Sequence, residues 1–295
     1  MRGSGKVMRS ALPRFEYASA RSVREALGLV ARSGGRASLL AGGTDLLVKM
    51  KMVRIAPAIV VDIKRVAALG GPIRETRGFI AIPPLATLAE IAESRLLARK
   101  VPVLPRTALL MASPQVRSRA TVGGNLANAA PSADMAPPLM ALGARVKVHA
   151  KAGARTVPLD EFFTGPGETV LGTRAVLGTI LVPVPPASSK ASYHPFTIRE
   201  AMDLSVASAA AFVRRKGKRI VEARIVLGAV APTPIRVPEA EALLVGTMGG
   251  PGDIEAAAEA AVRASRPITD VRATEEYRRD IVRVVATRAI REVLS

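Results

Sequence analysis

Apolar positions along the chain switch between helical and alternating spacing, and the switches predict its elements. Val23, Ala26, Leu27 and Val30 recur at helical spacing behind Ser22-Val23-Arg24-Glu25, a capping-box pattern, so a helix is predicted over about 22–33, closed by Gly34-Gly35. Ala37 to Ala41 is short and apolar enough for a buried strand, and it runs into Gly42-Gly43-Thr44-Asp45, a glycine turn, before Leu46-Leu47-Val48 opens a new element. Ile59–Ile63 and Phe79–Ile82 read as further strands, the second stopped by Pro83-Pro84, and Thr87 to Glu90 is a second capping box opening a helix. A helix over 105–112 leads to Gln115-Val116-Arg117, and Gly123-Gly124-Asn125 reads as a second glycine turn. Residues 127–134 are small and polar, 135–142 apolar, and 145–149 alternate like a half-exposed strand.

A strand near 176–182 ends at Pro183-Val184-Pro185-Pro186, and this stretch with Ala187-Ser188-Ser189 is the best linker candidate. Beyond it, apolar runs at 204–213 and 219–230 flank Arg214-Arg215-Lys216-Gly217-Lys218, which predicts a basic hairpin. Three helices follow, over about 238–245, 253–264 and 275–293, the last presenting Tyr277, Ile281, Val284 and Val285 on its apolar face. Strands first and helices after is an α+β order.

Composition narrows the chemistry. The 295 residues hold no cysteine, which removes disulfides, thiolate nucleophiles and any Cys-ligated zinc or iron–sulfur cluster in this chain. His149 and His194 stand far apart in no ligand-spaced pattern, so no metal ligands are assigned. Arg2, Lys6 and Arg9 in Met1–Ser10 precede no apolar stretch of the kind a secretory leader needs, and Pro, Gly or charge interrupts every long apolar run, so the expectation is a cytoplasmic protein.

The net charge of +19 raises a nucleic-acid-binding alternative, with basic clusters at Arg214 to Arg219, Lys49 with Lys51, and Arg99-Lys100. Aromatic residues make up only 3% and Trp is absent, so base stacking is poorly supplied. Solvated basic faces are the plainer reading, and a docking surface for acidic sister subunits the next.

Chemically, two segments stand out: Ala41-Gly42-Gly43-Thr44-Asp45 and Thr121-Val122-Gly123-Gly124-Asn125. Each is read as offering backbone N–H groups without Cβ obstruction, and such groups form anion-binding nests that a phosphate can approach closely. Neither has the Rossmann or P-loop spacing.

In this setting LLAGGTDLLVKMK (39–51), QVRSRATVGGNLANAAPSADMAPPLMALGA (115–144), EFFTGPGETVL (161–171), REAMDLSVASAA (199–210) and LGAVAPTPIRVPEAEALLVG (227–246) run through nearly the whole chain. In these strings the sequence resembles the FAD-binding medium subunit of molybdenum hydroxylases, the relatives of xanthine dehydrogenase and aerobic carbon monoxide dehydrogenase. The resemblance implies an α+β chain: a two-subdomain FAD-binding domain of the vanillyl-alcohol-oxidase (PCMH) type, at 1–60 and 61–185, followed by a C-terminal α+β domain at 190–295.

Carried over by position, the resemblance implies that Leu39, Leu40, Ala41, Gly42, Gly43, Thr44, Asp45 and Leu46 wrap the pyrophosphate. It places Ala120, Thr121, Gly124 and Asn125 in a second clamp, with Ala127 and Asn128 beside the dinucleotide. Ser132 and Asp134 would meet ribityl or ribose hydroxyls, Met111 the adenine, and Leu177, Gly178 and Tyr193 the isoalloxazine ring. Ser118 stands where Asn is common, and Pro195 where relatives often carry a flavin-contacting Lys; His194 and Lys190 are the nearest replacements. No cysteine stands here to hold a cluster, and the resemblance implies that the [2Fe-2S] clusters belong to a small partner subunit and the molybdenum cofactor to a large one, the three chains forming a heterotrimer, often doubled. Electrons would pass from those clusters through FAD to an external acceptor. A freestanding flavin oxidase is the remaining alternative, and it would need a substrate base that no paired carboxylates or His motif announces.

Overall fold

The computed structural model describes residues 11–200 and 202–295; the reading of Met1–Ser10 lies outside the described residues. The first half comprises β1 (Glu16–Ser19), α1 (Val23–Arg32), β2 (Ala37–Leu40), α2 (Leu46–Lys51) and β3 (Ile59–Asp62), then β4 (Arg74–Thr76) and β5 (Phe79–Ile82). Next come α3 (Leu88–Glu93), α4 (Arg95–Lys100), α5 (Val103–Leu110), α6 (Pro114–Arg117), α7 (Val122–Asn128) and α8 (Ala136–Ala141). Strands β6 (Arg145–Ala150), β7 (Gly153–Pro158), β8 (Phe163–Gly165), β9 (Glu168–Thr169) and β10 (Ala175–Pro183) precede β11 (Ser189–Phe196), β12 (Ala207–Lys216), β13 (Arg219–Gly228) and β14 (Ile235–Arg236). Helices α9 (Pro238–Leu244), α10 (Pro251–Ala264) and α11 (Glu275–Leu294) complete the chain.

Three principal sheets organise these elements: a parallel β1-β3-β2, a five-stranded antiparallel β4-β5-β10-β6-β7, and an antiparallel β11-β12-β13-β14. Helix α1 crosses from β1 to β2 and packs Ala26 against Val61, Ile63 and Leu69. The middle core gathers Ile80, Leu88, Leu104, Leu126, Leu139 and Phe162, each of which contributes roughly 1.5–3 kcal/mol on leaving water. Strand β12 reads as a nearly unbroken apolar run because both its faces are covered. Ala209, Ala211 and Val213 point to the helices α10 and α11, while Ala210 and Phe212 join the middle core. That alternation seats the C-terminal sheet on the preceding domain. Arg224 seals the contact, lying 5.0 Å above the Phe212 ring and donating to the Ala141 carbonyl at 3.1 Å.

Some predicted elements shift. The helix expected at 105–112 lies at Val103–Leu110, and Gly123-Gly124-Asn125 is part of α7 rather than a turn. Ser22 caps α1 as expected, but the Glu25 carboxylate accepts from the Arg21 N–H instead of Ser22, so the reciprocal half of that box sits one residue early. At Thr87 and Glu90 both halves form. In α11, Ile281 and Val285 are buried while Tyr277 and Val284 face outward, because the sheet side of this helix is carried by Val282, Ala286, Ala289 and Ile290. The basic hairpin turns at Gly217 with φ +59°, a conformation glycine adopts freely.

Candidate functional site

The first glycine segment begins where the parallel sheet stops. Leu39 and Leu40 pair with Val61 and Asp62, and the Leu40 carbonyl accepts from Ile63 N–H at 3.1 Å. Past Ala41 the chain leaves the ladder, and Gly43 takes φ +78° before α2 starts at Leu46. The backbone N–H groups of Gly42, Gly43, Thr44 and Asp45 donate to no protein acceptor among the described residues. Asp45 is exposed, and its side chain makes no capping bond. A Cβ at Gly42 would stand 2.0 Å from the Arg119 carbonyl oxygen, so the two glycine segments touch backbone to backbone here.

The second segment is built differently. Ala120 and Val122 stitch it to the strand–helix connection through Leu88 N–H to Ala120 O (2.8 Å) and Val122 N–H to Ala86 O (2.9 Å). Gly123 N–H donates to Pro84 O at 2.9 Å, Gly124 N–H to Thr121 Oγ1 at 3.0 Å and Asn125 N–H to Thr121 O at 2.9 Å. Its donors are therefore consumed by the protein, contrary to the reading of both segments as nests. What it offers instead is side chains along α7. Asn125 Oδ1 is buried without a partner, and Asn128 Oδ1 accepts from Lys49 Nζ at 2.5 Å, while Ala127 is exposed. A buried, unpaired amide oxygen costs about 1–3 kcal/mol, so a ligand hydroxyl fits there.

Beyond α7, Asp134 Oδ1 accepts from Tyr193 OH at 2.5 Å and Ser205 Oγ at 2.6 Å, joining the α7–α8 connection to the C-terminal sheet. Burial pushes the Asp134 carboxyl above the usual carboxylate range, against the pull of those two hydroxyls. Burial and the neighbouring Asp134 charge hold the Tyr193 hydroxyl well above 10. Ser132 and Ser205 line an adjacent cavity of about 330 Å³ with Pro131, Ala229, Arg266 and Arg278.

Met111 is half-buried at the end of α5, where Arg117 Nη1 ties down the carbonyls of Met111 and Ala112, both at 2.9 Å. The register of β10 on β6 shifts between Leu177 and Ile180, so Gly178 lies within the irregularity, and a Cβ there would meet His149 Nε2 at 2.6 Å. Burial, with Lys147 alongside, lowers the pKa of His149. Of the replacements considered for Pro195, His194 is engaged with Glu292 at 2.7 Å, and Lys190 is exposed opposite Val213. From sequence, Lys49 is taken only as part of a basic cluster with Lys51, and Arg117 and Ser205 are given no role, although all three fall inside the quoted strings.

Residues 13–185 match the family of FAD-binding domains in molybdopterin dehydrogenase, and residues 191–293 match the CO dehydrogenase flavoprotein C-terminal domain. The chain belongs to this FAD-binding family. It is 34% identical over 278 residues to the carbon monoxide dehydrogenase medium chain of Hydrogenophaga pseudoflava, covering 94% of this chain and 96% of that one. It is 32% identical over 285 residues to the xanthine dehydrogenase FAD-binding subunit of Escherichia coli O157:H7, covering 95% and 97%. Among solved structures, a chain of the Hydrogenophaga pseudoflava carbon monoxide dehydrogenase superposes with TM-score 0.93 at 34% identity, covering 96% of this chain and 98% of that one. A chain of quinoline 2-oxidoreductase from Pseudomonas putida 86 gives 0.89 at 28%, covering 96% and 98%. The family member is a flavoprotein oxidoreductase subunit of α+β architecture, and its relatives support neither the nucleic-acid nor the freestanding-oxidase alternative. Free N–H donors at Gly42–Asp45 and the orphaned Asn125 oxygen suit a dinucleotide.

Proposed function

We propose that this chain holds FAD for a molybdenum hydroxylase and relays electrons from a small iron–sulfur subunit, fed by a large molybdenum-cofactor subunit, to an external acceptor. The observation that carries the cofactor site is the row of unpaired N–H groups at Gly42–Asp45, pressed by Gly42 against the Arg119 carbonyl. Bound FAD supplies one-electron acceptance and two-electron release. The protein's part is placement. Leu39–Leu46 wrap the diphosphate mainly through backbone N–H groups, the Thr44 hydroxyl and the Asp45 N–H adding polar contacts, and Ala120, Thr121, Gly124 and Asn125 close on it from the other side. Ala127 and Asn128 flank the dinucleotide, Ser132 and Asp134 take sugar hydroxyls, and Met111 supports the adenine. Leu177, Gly178 and Tyr193 border the flavin ring, with Tyr193 positioned by its bond to Asp134.

In this reading the subdomains divide near residue 60, and the C-terminal domain starts between 185 and 190, where the chain crosses from β10 to β11. The absence of cysteine requires that cluster electrons come from another chain. The assembly is a cytoplasmic heterotrimer able to double. No helix among the described residues is long and apolar enough to cross a membrane.

Incubating the purified chain with FAD, desalting it and recording its visible spectrum tests the cofactor assignment. Retained flavin bands at one FAD per chain support it. A colourless chain overturns it. Size-exclusion chromatography of the chain co-expressed with candidate large and small subunits tests the assembly, and a persistent monomer overturns that part.

A further inference from the structure

We propose that Lys49 is a positioning residue of the cofactor site, clasping α2 onto α7 and setting an ammonium charge toward the diphosphate. The inference rests on the FAD reading above. Lys49 Nζ donates to Asn128 Oδ1 at 2.5 Å, spanning the seam between the two glycine segments, and both residues are half-buried. Its backbone is fixed from two directions, its N–H donating to Asp45 O and its carbonyl accepting from Arg54 N–H, each at 2.9 Å. The ammonium is thus tied by short links to the loop that carries the free N–H donors.

An ammonium has three donors, and Asn128 takes one. Asn125, one turn earlier on the same face of α7, holds a buried oxygen with no partner. This face therefore presents one amide already met by a cation and another awaiting a donor. The electrostatics point the same way. Unpaired N–H groups give direction but no formal charge, and the exposed, uncapped carboxylate of Asp45 at the end of the loop opposes an anion. Lys49, four residues along, offsets that carboxylate and leaves the loop fit for a doubly negative diphosphate.

The test compares the wild-type full chain with Lys49→Met and Lys49→Arg. Affinity for FAD and riboflavin is read by flavin fluorescence across a salt series, ADP competition against FAD is measured alongside, and each ligand-free chain is melted. Lys49→Met is expected to weaken FAD binding about tenfold or more, the scale of one hydrogen bond to a charged group. It should also flatten the salt dependence of FAD affinity and weaken ADP competition, while riboflavin, which has no phosphate, binds as before. Lys49→Arg should recover part of the loss, and the ligand-free melting temperature should fall by no more than a few degrees, the scale of one lost half-buried hydrogen bond. Unchanged FAD affinity and salt slope in Lys49→Met overturn the proposal. So does an equal loss for FAD and riboflavin with a lowered melting temperature, which makes Lys49 a fold-holding residue only. A wild-type chain that binds no FAD removes the cofactor reading itself, a result distinct from a silent Lys49 variant.

Discussion

The two glycine segments look alike in sequence, each pairing Gly-Gly with a hydroxyl and a small polar residue, yet they are built on opposite plans. At Gly42–Asp45 the backbone donors are left free and Gly43 adopts φ +78°. At Thr121–Asn125 the same residue types start a helix, and the N–H groups of Val122 to Asn125 are spent inside the protein. Glycine at position 42 makes room for Arg119, and glycine at 123 makes room for Pro84, 2.5 Å from where a Cβ would stand. One segment is an open cradle and the other its rigid wall. A Gly-Gly pair therefore signals close backbone approach, and only the hydrogen-bond ledger of its neighbours says whether a ligand or the protein itself is approached.

Substitutions at the two glycines should break the contrast most strongly. Gly42→Ala forces a Cβ onto a backbone carbonyl that cannot rotate away, so it should separate the two segments and abolish FAD retention, at a cost of about 1–3 kcal/mol or more in stability. Gly123→Ala should cost a comparable amount in thermal melts of the ligand-free chain, with FAD retention falling only in step with folding. If both variants lose FAD while melting normally, the wall is a second cradle and the contrast fails.

The hydroxyls come next. Thr121→Ala removes the cap on Gly124 and should cost about 1 kcal/mol in the ligand-free chain. Thr44→Ala, which breaks no hydrogen bond among the described residues, should stay within about 0.5 kcal/mol and show its effect in FAD affinity alone. Denaturant titrations with and without FAD separate the two.

A smaller, pH-dependent effect marks the far side of the wall. Because burial raises the Asp134 pKa in the folded chain, the folded state keeps a proton that the unfolded state has released. Stability contributed by that proton is present at low pH and declines as pH rises from the ordinary carboxylate value through the raised one. Asp134→Asn should flatten this decline in melts run from about pH 4 to 7. An unchanged slope would assign it to other groups. Outside the cradle and its wall, at the end of the cradle's helix, Val53 sits at φ +53°, a strained conformation for a β-branched residue. Val53→Gly should raise ligand-free stability by up to about 1 kcal/mol, read as a higher melting temperature, with no change in FAD binding.

Much of this was legible along the chain. The periodicities placed α1, the strands at 37–41, 59–63 and 79–82, the basic hairpin and the three C-terminal helices near their observed positions. The motif strings carried the family, and both glycine segments were recognised as the chemically notable loops. The reach of α7 was not visible, because Val-Gly-Gly-Asn has poor intrinsic helix propensity and is held helical by the Thr121 cap and by Pro84 and Ala86. Tyr277 and Val284 were assigned to the buried face of α11 on hydrophobicity, whereas the sheet selects the narrower stripe through Val282, Ala286 and Ala289. Strand β11 was masked by the Pro-rich stretch before it and by Pro195 within it, yet Pro195 is accommodated opposite Ser208.

By itself the sequence determined composition, charge, the lack of thiolate chemistry, the local caps and the family strings, because these depend on residue type and short spacing. Only the tertiary structure decided that Gly42 meets Arg119, that Lys49 reaches Asn128 and that Tyr193 and Ser205 share one oxygen of Asp134. Those contacts join residues from 59 to 79 positions apart, and no local periodicity encodes them. They follow from which faces the three sheets bury and from the requirement that buried polar groups find partners, a condition that is satisfied only when the whole chain has folded.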